Sequence, residues 1–196
     1  MSPRPSHTVT MRKIAVFGNA GGGKSRLARR LAEATGLPLY CLDTIQFRSG
    51  RYWPGEKGGG KLPHDEYLKV HADIINGDEW IVDGYGTWES VWERLAIADT
   101  LVYIDLPVLT HYRWVTWRLA KGLVRNPPGW PENSPLWEST MQGYQVVWLC
   151  HRRLTPKYRQ FVADARFSKR VHHLKSAPEI ETFLQSVERD FVAGVS

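Results

Sequence analysis

The chain has 196 residues, 42% hydrophobic and 23% charged, which suits one well-packed domain and excludes global disorder. No apolar run approaches bilayer-spanning length and no charged-then-apolar signal opens the chain, so a cytoplasmic protein without membrane contact is expected. The formal net charge of +6 has one address: residues 108–159 hold eight Arg or Lys against only Glu132 and Glu138. Such a concentration implies an anionic partner, either a phosphorylated small molecule or a nucleic acid.

Residues 1–10 are polar and proline-containing and read as a loose tail of a single domain spanning 1–196. "KIAVF" (13–17) is a short apolar run with β-branched residues, as in a strand buried on both faces of a parallel sheet. "KSRLARRLAEATG" then places Leu27, Leu31 and Ala34 on one helical face and stops at Gly36. "LPLYCLD" (37–43) reads as a second strand, "HDEYLKVHADIING" as a helix and "EWIVDG" (79–84) as a third strand. "SVWERLAIAD" is helical, "TLVYIDLP" (100–107) is a fourth strand and "VLTHYRWVTWRLAKGLVR" is a helix. "WESTMQGYQVVWLC" and "TPKYRQFVADARF" continue as helix, "RVHHLK" is the last strand and "APEIETFLQSVERDF" the last helix. Strands alternating with helices predict a three-layer α/β fold with a five-stranded parallel sheet. Two long Gly/Pro-rich loops, 48–63 and 126–135, interrupt the rhythm, and loops of that length usually carry function. Cys41 and Cys150 lie in apolar runs without a spacing motif, which predicts buried thiols and no disulfide or metal site.

Gly18-x-x-x-x-Gly23-Lys24-Ser25 is a full P-loop pattern lying between a buried strand and a helix. Glycines lacking Cβ let backbone N–H groups converge on phosphate oxygens, and the helix start adds a positive dipole end. The Lys24 ammonium would meet the β- and γ-phosphates, and the Ser25 hydroxyl would ligate Mg2+. The expected ATP-contacting stretch is Asn19, Ala20, Gly21, Gly22, Gly23, Lys24, Ser25 and Arg26. A glycine-rich turn with a solvated lysine is the bland alternative, and the flanking strand and helix argue against it.

A P-loop needs a further carboxylate on the magnesium side. Asp83 and Asp105 both end strands, where ligands of parallel sheets bind, and either can face the phosphates. Asp83 is preferred because Gly84 leaves space beside it, whereas Asp105 precedes Leu-Pro and suits helix capping. Asp43, ending the second strand, is the candidate to orient or deprotonate an acceptor hydroxyl, with an N-cap role as the alternative. Tyr85 and Trp88 offer rings for stacking an acceptor, although core packing explains such residues equally well. Trp114, Trp117 and Trp148 fall in helical apolar patterns, so packing accounts for them without DNA.

"GNAGGGKS", "GLPLYCLD", "WIVDGY", "RLAIADTLVYIDLP" and "RWVTWRLAKGLVR" together resemble the adenylate kinase-related P-loop kinases, bacterial proteins also called DNA topology modulation proteins. The resemblance covers most of the chain from Lys13 to about Phe183. It implies a mobile lid, here the basic region of about 108–159, and transfer of the ATP γ-phosphoryl group to a small acceptor. It further implies Asp83 as the magnesium-side carboxylate and Arg118, Arg125, Arg152 and Arg153 as phosphate-clamping arginines. Two positions depart from the pattern. Asp83-Gly84-Tyr85 continues with Gly86-Thr87 where family enzymes have proline and arginine, and Gln46 stands where they have an arginine. Both departures weaken the case for a nucleoside monophosphate acceptor, with Arg48, Arg51 and Arg94 as possible substitutes. Lys24, Asp83, Arg118, Arg125 and Asp43 thus form the expected catalytic set, with ATP and Mg2+ as cofactors. The alternative is a nucleotide-binding regulator acting on DNA or a protein partner. The acceptor and the oligomeric state stay open at this level.

Overall fold

The computed structural model describes residues 11–46, 62–122 and 136–193. The expected tail, residues 48–61 of the first loop and all of the second loop lie outside them. The elements run β1 (Lys13–Gly18), α1 (Lys24–Thr35), β2 (Leu39–Cys41), α2 (Leu42–Gln46), α3 (His64–Asn76), β3 (Trp80–Asp83) and α4 (Trp88–Ile97). They continue with β4 (Thr100–Ile104), α5 (Val108–Gly122), α6 (Leu136–Arg153), α7 (Thr155–Ala165), β5 (Arg170–Leu174) and α8 (Ala177–Ala193). The five strands form one parallel sheet in the order β2-β3-β1-β4-β5. This is the α/β architecture expected from the alternation of strands and helices.

Two apolar layers explain the order. Leu27 and Leu31 of α1 pack with Ile14, Val16, Phe183, Leu184 and Val187 on one face of the sheet. Phe17, Tyr67, Trp80, Val82, Val91, Leu95, Tyr103, Tyr158 and Val162 fill the other, joining α3, α4 and α7. β3 and β4 are buried along their whole length, so their sequences need no polar alternation. Each fully buried Ile or Val there contributes about 1.5–3 kcal/mol relative to exposure. α1 closes at Gly36, whose left-handed φ of 73° lets its N–H reach the Ala32 carbonyl at 2.9 Å. α4 opens on a capping box in which Thr87 and Ser90 exchange side-chain and backbone hydrogen bonds.

The second strand is shorter than the sequence suggests. β2 pairs only with β3, and its last partner pair is Cys41 with Asp83. Gly84 then leaves the sheet at φ 110°, so nothing remains for residues 42 and 43 to pair with. The chain coils into α2 instead, carrying Asp43 in its first turn.

His71 and His172 are held in apolar surroundings, and burial, with Arg94 and Arg170 respectively adding repulsion, pushes each down to about 4. Their unfolded counterparts take up protons near 6.5, so between those values the unfolded chain binds more protons and stability falls as pH falls. Urea midpoints should therefore drop between about pH 6.5 and 4, and the drop should shrink in His71→Phe. An unchanged acid slope in that variant counts against the assignment.

Candidate active site

The glycine loop leaves β1 at Gly18 and enters α1 through Gly23. Gly18 adopts φ 143°, and a Cβ there would stand 2.2 Å from the Ile104 carbonyl oxygen of β4. Only glycine fits that approach. A Cβ on Gly22 would stand 2.9 Å from Cε1 of His111. Lys24 Nζ donates to the Asn19 carbonyl at 2.8 Å, so the ammonium lies across the loop. Asn19 is buried and braces the loop twice. Its Oδ1 accepts from Ala20 N at 2.7 Å, and its Nδ2 donates to the Val147 carbonyl of α6 at 3.1 Å.

Two supports of this cradle were not evident from the sequence. His111, fully buried at the start of α5, contacts the Ala20 carbonyl through Nδ1 at 2.9 Å. A carbonyl only accepts, so Nδ1 carries the proton. Burial lowers the His111 pKa against the opposing pull of that carbonyl, with Lys24 adding repulsion, which favours the neutral ring. Trp114, one turn on, brings its ring within 3.3 Å of where a Gly23 Cβ would lie. The only sequence signal was His111 lying four residues before Val115 on the buried face of α5.

The carboxylates separate by environment. Asp83 ends β3 opposite Val16 of β1, two residues before the glycine loop begins. It is fully buried; Oδ2 accepts from Cys41 Sγ at 3.6 Å, while Oδ1 has no hydrogen-bond partner among the described residues. An orphaned buried carboxylate oxygen is expensive unless something positive meets it. Asp43 stands open to solvent yet enclosed by protein, and that enclosure, helped by Asp83, raises its pKa despite Lys24 and Arg94. A Gly84 Cβ would come within 3.2 Å of Asp43 Oδ1, so the turn after β3 lies against this carboxylate.

Asp105 does not cap α5, contrary to the sequence reading. Arg159 of α7 grips it with Nε at 2.8 Å and Nη2 at 3.0 Å, and His173 of β5 adds Nε2 at 2.9 Å. Burial alone would raise this carboxyl, but the Arg159 and His173 bonds hold it below the usual range. Both oxygens are thus engaged in holding α7 to the sheet, beside an open cavity of about 400 Å3 lined by Pro107 and Lys175 as well.

No protein-family model matches the chain, and no curated protein matches it. Solved structures do match. A shikimate kinase from Acinetobacter baumannii in complex with shikimate aligns at TM-score 0.56 and 19% identity, over 94% of this chain and 95% of that one. A shikimate kinase from Bacteroides thetaiotaomicron aligns at TM-score 0.52 and 15% identity, over 92% and 98%. The chain has the fold of the P-loop kinases. These likenesses show the fold and do not show the narrower adenylate kinase-related family.

The basic segment is not one appendage on this fold. His111, Val115, Val147, Leu154 and Tyr158 are buried, so the apolar faces of α5, α6 and α7 tie much of it to the body. α5 and α6 meet through Thr116 and Tyr144, whose hydroxyls lie 2.6 Å apart, and through Gly143 against Val115. Arg159 is occupied by Asp105, and Lys157 Nζ sits 4.5 Å above the Trp88 ring. Arg152 lies over Trp148 at 5.8 Å, and Arg153 is exposed beside it. Arg118 belongs to α5 with its side chain outside the described residues, and Arg125 lies outside them altogether. Arg26 is exposed, and its charge is felt by Glu181 of α8, so its side chain lies on that side of α1.

Other expectations need adjustment. Trp117 is 62% exposed and Trp148 49%, so core packing does not account for them. Tyr85 and Trp88 are also partly exposed, with Trp88 edge-on to Trp92. Cys41 and Cys150 are free, half-buried thiols. Burial pushes Cys41 up to about 11, with Asp83 and Asp43 adding, so it is a protonated donor. Arg94, the possible acceptor arginine, is fully buried and donates to the Gly84 and Tyr85 carbonyls. No helix among the described residues is long and apolar enough to cross a membrane.

The donor set suits a small hard cation: a hydroxyl from Ser25 and a carboxylate oxygen on Asp83 that lacks any other partner among the described residues. The cradle makes a direct prediction. His111→Leu removes the Ala20 contact and should weaken Mg2+-ATP binding by roughly 5–10-fold in calorimetry. Affinity unchanged in a folded His111→Leu protein would show that the loop holds its shape without it.

Proposed function

We propose that this chain is a phosphotransferase that moves the γ-phosphoryl group of ATP, with Mg2+, onto a hydroxyl of a small acceptor. The observation that carries this reading is Asp83, a fully buried carboxylate at the strand end beside the glycine cradle, with one oxygen unpartnered among the described residues. A carboxylate so placed is what a bound metal-triphosphate requires and what a purely structural strand end would avoid.

In this reading the loop amides and the α1 dipole seat the polyphosphate. Lys24 swings from the Asn19 carbonyl to the β/γ side, and Ser25 and Asp83 hold the Mg2+. The ion, when bound, neutralises charge on the phosphate oxygens. Asp43 faces the acceptor. The acceptor oxygen bonds to the γ-phosphorus, the bond to the β–γ bridging oxygen breaks, ADP leaves, and the acceptor proton passes to Asp43. A raised proton affinity suits that task, since a very acidic carboxylate is a poor base. Arginines of the basic segment, with Arg118, Arg125, Arg152 and Arg153 as the candidates, are proposed to steady the transferring charge. Arg94 is taken up by carbonyls, so it does not replace the acceptor arginine that adenylate kinases use. Arg48 and Arg51 lie outside the described residues, and the two family arginines replaced by Gln46 and Thr87 support a hydroxyl compound over a nucleoside monophosphate. The matching fold that holds shikimate supports a small-molecule acceptor, so shikimate belongs in the test panel.

ADP release should rise with one member of a panel of nucleosides, nucleotides, small alcohols and shikimate. Lys24→Ala and Asp83→Asn should each lower that rate by about 10²-fold or more. A panel in which nothing exceeds basal ATP turnover overturns the reading.

Asp43 supplies a pH test. It must be ionised to accept a proton, so the rate should fall as pH drops through its raised pKa. Asp43→Asn should abolish that acid limb and lower the rate about 10²–10⁴-fold. An acid limb that persists in the variant assigns the base elsewhere.

A further inference from the structure

Behind the acceptor side lies a buried cation with no carboxylate in hydrogen-bond contact among the described residues. Arg94 of α4 has 0% exposure, and its Nη1 and Nη2 donate to the Tyr85 carbonyl at 3.2 Å each, Nη2 also to the Gly84 carbonyl. Its Nε has no hydrogen-bond partner among the described residues. Placing a guanidinium in the interior costs several kcal/mol unless hydrogen bonds and opposite charge offset it. Two carbonyls supply the hydrogen bonds. The opposite charge is close by: Asp83 and Asp43 are the carboxylates whose fields reach Arg94.

The carbonyls it holds belong to the turn between β3 and α4. Gly84, at φ 110°, leaves no room for a side chain against Asp43 and Leu42. Gly86, at φ 73°, faces the Tyr67 hydroxyl and Ser90 Oγ, which are themselves 3.2 Å apart. Thr87 N is fixed by Ser90 Oγ at 3.0 Å. Asp43 thus abuts one end of the turn, Tyr67 and Ser90 secure the other, and Arg94 grips the middle from below.

We infer that Arg94 is a positioning residue that fixes the Gly84–Tyr85 turn against Asp43 and supplies a permanent positive charge beside that carboxylate. The inference deepens the phosphotransfer reading and rests on it for its catalytic meaning, though its physical content does not. The charge of Asp83 nearby raises the proton affinity of Asp43. Lys24 offsets this from the solvent side and is drawn to phosphate when nucleotide binds. Arg94 cannot leave. The groups that face Asp43 are Lys24 from α1, Asp83 from β3, Arg94 from α4 and, nearby, the neutral Cys41 of β2 and Tyr67 of α3.

The test titrates Asp43 directly, by carbon NMR of the labelled carboxyl group in the full chain. Arg94→Gln should raise the Asp43 midpoint, by about threefold or more in proton affinity, and Arg94→Lys should restore it towards the wild-type value. A merely structural Arg94 would leave the midpoint in place even where the variant is less stable, and that result overturns the inference. Wild-type hydrogen exchange gives a reading that no folding defect can obscure. The amides of residues 84–87 should exchange as slowly as those of the first turn of α4, and exchange at open-loop rates overturns the clamp. Calorimetry of Arg94→Lys with Mg2+-ATP separates the two readings. Nucleotide binding together with an Asp43 titration that does not move in Arg94→Gln defeats only the role of Arg94. A moved titration with no nucleotide heat in any form of the protein defeats only the phosphotransfer reading.

Discussion

The site is organised by a lack of space around Gly18. The strand must turn into a phosphate loop at the point where the Ile104 carbonyl of the neighbouring strand occupies the position of a side chain. The loop can therefore only be glycine there, and its path is dictated by β4 as much as by its own residues. Everything that follows β4 inherits that position. His111 reaches the Ala20 carbonyl because α5 starts immediately after β4, and Trp114 meets Gly23 one turn later. Val147, 128 residues after Asn19, completes the enclosure from α6.

On the acceptor side electrostatics decide the arrangement. The proton affinity of Asp43 reflects its enclosure by protein and the charges of Lys24, Asp83 and Arg94 around it. Asp105 shows the contrasting outcome. Both of its oxygens are taken by Arg159 and His173, and a carboxylate so satisfied holds helices together and leaves nothing free for a metal. Asp83 at the end of β3 and Asp105 just past β4 thus meet different surroundings, set by the partners that folding brings to them. The same distinction applies to the cations. Arg159 and Arg94 are engaged inside the fold, and Lys157 and Arg152 lie on tryptophan rings, so charge count alone overstates what faces phosphate.

Periodicity located the strands and helices closely because each depends on residues near in sequence. The apolar run of β1, the stripe of Leu27 and Leu31 and the stop at Gly36 are local facts, and the structure repeats them. β2 was the exception. Its length depends on how far β3 runs beside it, and β3 stops at Asp83, so the apolar residue after Cys41 entered a helix. The tryptophans show a second limit. A helical apolar pattern predicts one buried face, but whether another element covers it is decided by packing, and Trp117 and Trp148 are left substantially exposed.

By itself the sequence determined the parallel α/β order, the phosphate cradle and the lysine within it, since a strand, a glycine loop and a helix start are contiguous. Only the tertiary structure tied up both oxygens of Asp105, buried Arg94 beneath the Gly84–Tyr85 turn and brought His111 to the loop. Each of those outcomes turns on which groups from distant segments arrive within about 3 Å, where hydrogen bonds and ion pairs form, and no local pattern encodes that distance.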